Sequence, residues 1–381
     1  AGAYQSYLAL EQSATDPAAR ARAIHGAGVS LFQLQRYPEA LRALQQSLAL
    51  APSDADTVTA IGDVLLRLGR VNDAITVLRF ALRISPWNER AHDLLGAGFT
   101  RLDYTQLHAR YPGSFADATG RLALQRGDAA WRTGNLPAAR KTYQQVAASH
   151  PFWADAEVRL GSLEYVEGHF AAARDYFWNA YTLCPEYGRA NEGLAVALQA
   201  LTSGINIHRK EDEEALRAAP MPVIPGIARY VIDWNSLSPA YRKIVALSLR
   251  PWVRYMPALE VGGATLYIKP IWQPLSQAPY LDKLRDQRIG YDSRLWDDVR
   301  GEGGHHVVVS DQDIEGMIDD GYDTVLHEVS HQVNAILAPR WDRKIESLYA
   351  AATRRQAGRG NAFMSNYAAS SVLEYFAEGC N

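Results

Sequence analysis

The chain has 381 residues, enough for two domains or three, with 48% hydrophobic and 21% charged residues, an ordinary composition for a folded protein. A formal net charge of −3 gives no reason to expect nucleic acid or an anionic membrane as partner, and no apolar run approaches the roughly 20 residues of a membrane span. Two cysteines, Cys184 and Cys380, are too few for a disulfide scaffold, and no Cys-x-x-Cys occurs, so a metal site here must use His and carboxylate.

The chain opens at Ala1 without Met, as removal of an N-terminal segment leaves it. A secreted or periplasmic protein stripped of its signal peptide fits this, although the compartment stays open. Residues 1–20 are alanine-rich and predict one helix. A repeat then begins: aligning Ala21–Asp54 with Ala55–Asn88 places Gly28 on Gly62, Leu31 on Leu65, Ala40 on Ala74, Leu44 on Leu78 and Pro52 on Pro86. Each unit holds two amphipathic segments with small residues where helices meet, then a proline that stops the second helix.

Glu89–Phe99 starts a third unit. The register slips over Asp103–Thr119, then resumes with Gly127, Gly134, Ala139, Tyr143 and Pro151, and repeats with Gly161, Gly168, Ala173, Phe177 and Pro185. Arg189–Leu201 reads as a terminal capping helix. The pattern resembles the tetratricopeptide repeat, in which Gly and Ala hold these offsets. That resemblance implies an all-α solenoid over 1–204, with a concave face for a protein partner or for support of a second domain.

A charged run, His208-Arg-Lys-Glu-Asp-Glu-Glu, reads as a solvated helix face or linker. Pro220, Pro222 and Pro225 mark a boundary, which assigns 205–225 to a linker and 226–381 to a second domain. There Pro239–Tyr255 reads as a helix, Ala264–Lys269 and His306–Ser310 as strands, and Trp296–Gly304 as turns. Asp311–Asp320 comes next, then a helix from about Tyr322, one over Trp341–Gln356, a loop over Ala357–Asn366 and a last helix from about Ser371. A few strands followed by helices make an α+β domain.

The chemistry concentrates in Thr324-Val-Leu-His327-Glu328-Val-Ser-His331, which reads H-E-x-x-H. Residues four apart share a helix face, so His327 and His331 aim two nitrogens at one point, suited to Zn²⁺. Glu328 stands where a general base for a zinc-activated water must be. Leu326, Val329, Val333 and Leu337 form the apolar stripe that would bury the helix. The bland alternative is a solvated helix face with two spare histidines.

A zinc hydrolase needs a third protein ligand, and a crossing helix supplies Glu374. Glu378, one turn on, would accept the second N–H of a ligand histidine. Ser371-Val-Leu-Glu374 is also a capping box; if Glu374 serves there, Glu378 is the next candidate. The pair His305-His306 offers a second polar group, or merely flanks a strand. Gly301–Gly304 suits a turn into an exposed edge strand, to which a peptide substrate would add. Trp272, Trp296 and Trp341 are candidates to line a pocket, or core residues.

His-Glu-x-x-His, then Tyr367, then Glu374 in Glu-Tyr-Phe-Ala-Glu, resembles the gluzincins, in particular the anthrax lethal factor catalytic domain and the bacterial Pro-Pro endopeptidases. The resemblance covers about residues 220–381 and is one of motifs. It implies a zincin-type metallopeptidase domain with Zn²⁺ on His327, His331 and Glu374, Glu328 as base and Tyr367 stabilising the oxyanion. A zinc endopeptidase is the expected activity, with a peptide or protein substrate. An adaptor whose second domain is a degenerate or structural zinc module is the alternative, and a zinc hydrolase of non-peptide amides a third. The chain ends at Asn381, three residues after Glu378, where the last helix would be expected to continue.

Overall fold

The fold comes from a computed structural model, which describes residues 2–101, 104–203, 207–290, 293–319, 322–359, 362–365 and 367–381. The ends of the predicted segments at Asp103, Asp320 and Asn366, the array–linker boundary at 204/205 and most side chains of the 208–214 charged run lie outside the described residues.

The first two hundred residues are helical: α1 (Gly2–Ser13), α2 (Pro17–Gln33), α3 (Tyr37–Leu50), α4 (Ala55–Arg67), α5 (Val71–Ile84), α6 (Glu89–Phe99), α7 (Tyr104–Arg110), α8 (Ala118–Arg132), α9 (Leu136–Ser149), α10 (Ala154–Val166), α11 (Phe170–Leu183) and α12 (Gly188–Ser203). The single helix expected over 1–20 is broken instead. Asp16 caps α2 by accepting the Ala19 N–H at 2.8 Å, and Pro17 supplies the first helical residue, so α1 and α2 part there.

The repeated glycines explain the pairing within each unit. A methyl group on Gly28 would overlap Leu44, one on Gly62 Leu78, one on Gly127 Tyr143 and one on Gly161 Phe177. In each unit a fully buried side chain of the second helix thus lies directly on the first helix's backbone.

The capping role expected of Arg189–Leu201 is not what the structure shows. Helix α12 packs on α11 and, just as extensively, on α6. Helices α2–α6 and α8–α12 are two arrays meeting face to face through these ends. Gly96 lets them close, because a methyl there would crowd Gly188 O at 3.3 Å and Glu192 N at 3.4 Å. His92 Nδ1 lies 3.2 Å from Asn191 Oδ1, Arg79 pairs with Glu186 at 2.7 Å, and Trp87 lies against Trp178. His92 and Asn191, Trp87 and Glu186, and Arg79 and Trp178 stand at one common separation along the chain, so the junction is locally two-fold.

Beyond the arrays, the stretch expected to be a linker contains α13 (Ile207–Ala218), with Leu216 packed against the second core. Then come α14 (Ile227–Tyr230), β1 (Val231–Ile232), α15 (Pro239–Leu249), α16 (Met256–Val261), β2 (Thr265–Lys269), β3 (His306–Ser310), α17 (Asp311–Asp319), α18 (Thr324–Ile336), α19 (Pro339–Arg359) and α20 (Val372–Cys380). The helix predicted over Pro239–Tyr255 stops at Leu249 and gives way to a 3₁₀ turn at Arg250–Trp252, where Pro251 interrupts it.

The sheet corrects the α+β expectation in part. Its order is β1-β2-β3 and both pairings are parallel, with α15 and α16 in the crossover from β1 to β2. Parallel neighbours need such crossovers, so strands and helices interleave here. Two-residue β1 is too short to show an alternating pattern. Leu266, Ile268, Val307 and Val309 face α15 and α18 in one core, and Tyr267 and Val308 face a smaller cluster.

The two regions share a core. Trp272, 2% exposed, lies 6.1 Å from Trp131 edge to face, with the Arg159 guanidinium 4.7 Å from its ring centre. Trp272 is therefore a core residue, and the cavity it borders, beside Arg159 and Asp128, is not the cleft that holds Glu328. Trp296 is half-buried against the smaller cluster, and Trp341 is exposed on α19.

Candidate metal centre

Helix α18 carries the H-E-x-x-H motif. Asp323 caps it, accepting the Leu326 N–H at 2.9 Å, so it starts two residues later than expected. The stripe it buries is Val325, Val329 and Val333, with Leu326 only half-buried. This one-residue rotation brings His327 inward to 2% exposure. Gln332 holds the helix to the sheet, donating from Nε2 to Thr265 O at 3.1 Å and His305 O at 2.8 Å, and Tyr230 donates its hydroxyl proton to Gln332 Oε1. Trp252 Nε1 donates to Ser330 Oγ at 3.1 Å.

Helix α20 crosses α18 and brings Glu374 to the histidines. His327 Nε2 and His331 Nε2 are 3.3 Å apart, and Glu374 Oε2 lies 3.2 Å from the first and 3.4 Å from the second. A tetrahedral ion with ligands at about 2.0–2.1 Å requires ligand atoms about 3.3–3.4 Å apart. The triangle matches that size. Glu374 Oε2 is buried and has no hydrogen-bond partner, an arrangement that is costly unless a cation takes its lone pair. Size, donor chemistry and the orphaned oxygen all fit Zn²⁺. The cap is made from the serine side: the Glu374 N–H donates to Ser371 Oγ at 3.1 Å, while the Glu374 Oε2 turns to the histidines.

The far nitrogen of His327 is held as well. Tyr322 donates its hydroxyl proton to Glu378 Oε1 at 2.7 Å and lies 2.9 Å from His327 Nδ1, which is itself 3.4 Å from Glu378. Because the Tyr322 proton goes to Glu378, Nδ1 carries hydrogen and Nε2 presents a lone pair. Burial, and then the bond to Glu378, push the Tyr322 hydroxyl above its ordinary pKa, which keeps that proton in place. Burial and the neighbouring His331 lower the His327 pKa despite both glutamates, so its ring stays neutral. Ser365 Oγ donates to Glu378 Oε2 at 2.6 Å. Glu378 is expected to accept that N–H directly; here the Tyr322 hydroxyl stands between them, nearer to Nδ1 than Glu378 is, and Ser365 holds the other Glu378 oxygen. Tyr322 precedes the helix cap, where no helical spacing points to it.

Tyr367 lies with its ring centre 5.9 Å from that of His327 and the planes 25° apart. Glu328 turns into a cleft of about 460 Å³ with Tyr322, Thr324, Asp313 and Arg300. Burial, reinforced by Glu374, Glu302 and Asp313, pushes the Glu328 carboxyl up to about 7. A methyl group on Gly303 would stand 2.7 Å from Glu328 Oε2, so the backbone at Gly303 forms one wall beside this carboxylate.

Two expectations around the cleft change. The outer edge of β3 is not free at Val308, which exchanges backbone hydrogen bonds of 3.0 and 2.9 Å with Glu302. The segment running into Gly303 folds back antiparallel on β3 and takes the outer position itself. His306 is engaged away from the triad, 3.0 Å from Thr265 Oγ1 and stacked on Tyr280 at 4.0 Å. Among the described residues one other cluster of this type occurs, Glu164, Glu167 and His169, and Arg140 is paired with both of its carboxylates.

Comparison with known proteins bears on the arrays. Residues 25–88 and 124–188 match the tetratricopeptide repeat family model. The N-terminal region carries tetratricopeptide repeats. Over 193 residues, 49% of the chain, it is 23% identical to the protein O-mannosyl-transferase TMTC1 of Homo sapiens, and it spans 22% of that protein's length. The solved structure of MamA protein is similar at 18% identity and a TM-score of 0.20, over 53% of this chain and 98% of that one. The matched tetratricopeptide segments end at residues 88 and 188, so α6 and all but the first residue of α12, which join the two arrays, lie outside both.

Proposed function

We propose that α18 and α20 carry the centre of a zinc-dependent endopeptidase, gluzincin-like in its ligand set, with the tetratricopeptide arrays as its substrate- or partner-binding module. The observation that carries this reading is the triangle of His327 Nε2, His331 Nε2 and Glu374 Oε2, with sides of 3.2–3.4 Å and an orphaned carboxylate oxygen. Among the described residues the cluster has three donors and not four. Three protein ligands leave a position open for chemistry, whereas structural zinc sites are closed by four. That count favours catalysis over an adaptor with a structural zinc module, while the repeats support a protein-binding role under either reading.

Held by His327, His331 and Glu374, Zn²⁺ would supply Lewis acidity and a water of lowered pKa. The chain's own groups do the rest. Glu328, raised to about 7 and lining the cleft, accepts a proton and returns it to a leaving amine. Tyr367, beside His327, donates a hydrogen bond to the developing oxyanion. Tyr322 and Glu378 keep His327 in the one tautomer that presents Nε2.

The test is cleavage of unfolded casein by the zinc-loaded chain and by Glu328→Gln. Turnover by the parent and a loss of about 10²–10⁴-fold in the variant, with zinc content equal, is the expected result. Equal cleavage by both, or none by the parent, contradicts the assignment.

A further inference from the structure

Three cavities succeed one another from the first array to the candidate centre. The first, about 320 Å³, lies across α2, α4 and α6, with Val29, Phe32, Ala60 and Val64 on its walls. The second, about 220 Å³, shares Asp63, Arg90 and Leu94 with the first. The third is the 460 Å³ cleft beside the candidate centre. It shares Arg90, Asp93 and Arg300 with the second and reaches Glu328.

We infer that the first array is the distal half of the substrate site: an unfolded polypeptide segment lies extended through all three cavities, an apolar side chain seated between α2 and α4 and the scissile bond at Glu328. This rests on the peptidase reading and adds what that reading leaves open, the class of substrate and the surface that selects it.

The parts are held in register. Helix α6 packs on α12, Arg189 pairs with Asp298 at 3.2 Å out of solvent, Leu295 N donates to Thr100 O at 3.1 Å, and Gln312 Nε2 to Glu192 Oε1 at 3.1 Å. A ligand spanning the cavities therefore meets a preformed track. Its length is set by helix packing. From α2 through α4 and α6 to α12 is three interhelical steps of about 8–10 Å, on the order of 25–30 Å, or roughly eight residues of extended chain.

The walls define its chemistry. In the middle, charges are already matched: Arg90 holds Asp63 at 2.8 Å and Asp93 at 2.6 Å, and Arg300 lies 3.7 Å from Asp313. Paired side chains of this kind offer donors and acceptors to a peptide backbone without selecting one charge. The far end pairs an apolar seat of Val29, Phe32, Ala60 and Val64 with polar neighbours such as His25 and Asp56, and the apolar seat selects an apolar anchor. A folded surface or a small amide fits neither the length nor this alternation.

The experiment uses zinc-loaded Glu328→Gln protein and fluorescein-labelled peptides of about four to about twelve residues, with one leucine at the end distal to the label. Affinity read by anisotropy rises about tenfold to a hundredfold once the peptide passes roughly eight residues, the worth of one buried apolar side chain. Adding Ala60→Arg, which fills the first cavity from α4, abolishes that rise; should it fail to fold by circular dichroism, Val29→Arg on α2 replaces it. Affinity independent of length, or a rise that persists in the filled variant, overturns the inference. Casein cleavage by the parent together with length-independent binding overturns the track and leaves the metal centre standing. Length-dependent binding without cleavage retains the track and removes the peptidase.

Discussion

The Tyr322 hydroxyl lies 2.7 Å from Glu378 Oε1 and rests on α20 as a spacer between that carboxylate and His327. Such outer partners of ligand histidines typically matter about 10–100-fold in metal affinity. Tyr322→Phe removes the acceptor of the His327 Nδ1–H while keeping the ring. Its zinc dissociation constant, measured by competition with a chromophoric chelator, should rise by about that factor. Glu378→Gln should weaken zinc by a similar amount, and the double variant by no more than the larger single effect, because both act through one hydrogen-bonded chain. Additive losses would mean that the two contact the histidine independently.

Gly303 is predicted to matter through space alone. Alanine there would set a methyl group 2.7 Å from Glu328 Oε2, and the carboxylate would have to swing away. A displacement of about 1 Å in a catalytic group commonly costs about 10²-fold. Gly303→Ala should therefore lower kcat/KM by at least about tenfold while zinc content and melting temperature stay near the parent's. Full activity in this variant would show that Glu328 does not need its present position.

Trp272 joins the second array to the sheet region, buried against Trp131 and Arg159. Trp272→Ala should cost about 3–5 kcal/mol, the usual range for deleting a buried aromatic ring. A single calorimetric transition should separate into two as the regions uncouple. A loss under about 1 kcal/mol would mean that the shared core is not what holds them.

His92 gives the two-array junction a pH dependence. It is fully buried, with Nε2 3.0 Å from Pro86 O and Nδ1 3.2 Å from Asn191 Oδ1, and burial outweighs both acceptors to lower its pKa from 6.5. The unfolded chain therefore binds more protons below the unfolded pKa. Stability from this group is present above about pH 6.5 and is lost as pH falls from there through the lower folded pKa. The urea midpoint should drop between about pH 7.5 and 5.5, and His92→Gln should flatten that drop. An unchanged slope in the variant would assign the effect to other groups.

What the sequence made legible was local. Gly28, Gly62, Gly127 and Gly161 announce the helix pairs, because a missing side chain marks where the next helix crosses. His327 and His331 announce a shared helix face through one turn of helix, and Glu374 from the second helix comes within 3.2 and 3.4 Å of them. The arrangements that stayed hidden depend on residues remote along the chain. Arg189–Leu201 has the composition of an end cap, and only the approach of Gly96 to Gly188 and Glu192 reveals its second partner. Val231 and Ile232 are too few to show a strand's period. Tyr322 sits before a helix cap, where no spacing rule reaches, and the Gly303-Gly304 turn announces a reversal without showing that Glu302 covers the edge at Val308.

The central claim concerns three atoms, and zinc stoichiometry tests it most directly. The chain is loaded with zinc, dialysed against a weak chelator and assayed by atomic emission, alongside His327→Ala, His331→Ala and Glu374→Ala. The account predicts about one zinc per parent chain and less than about a tenth in each variant. A parent that retains none, or a Glu374→Ala chain that retains as much as the parent, contradicts it.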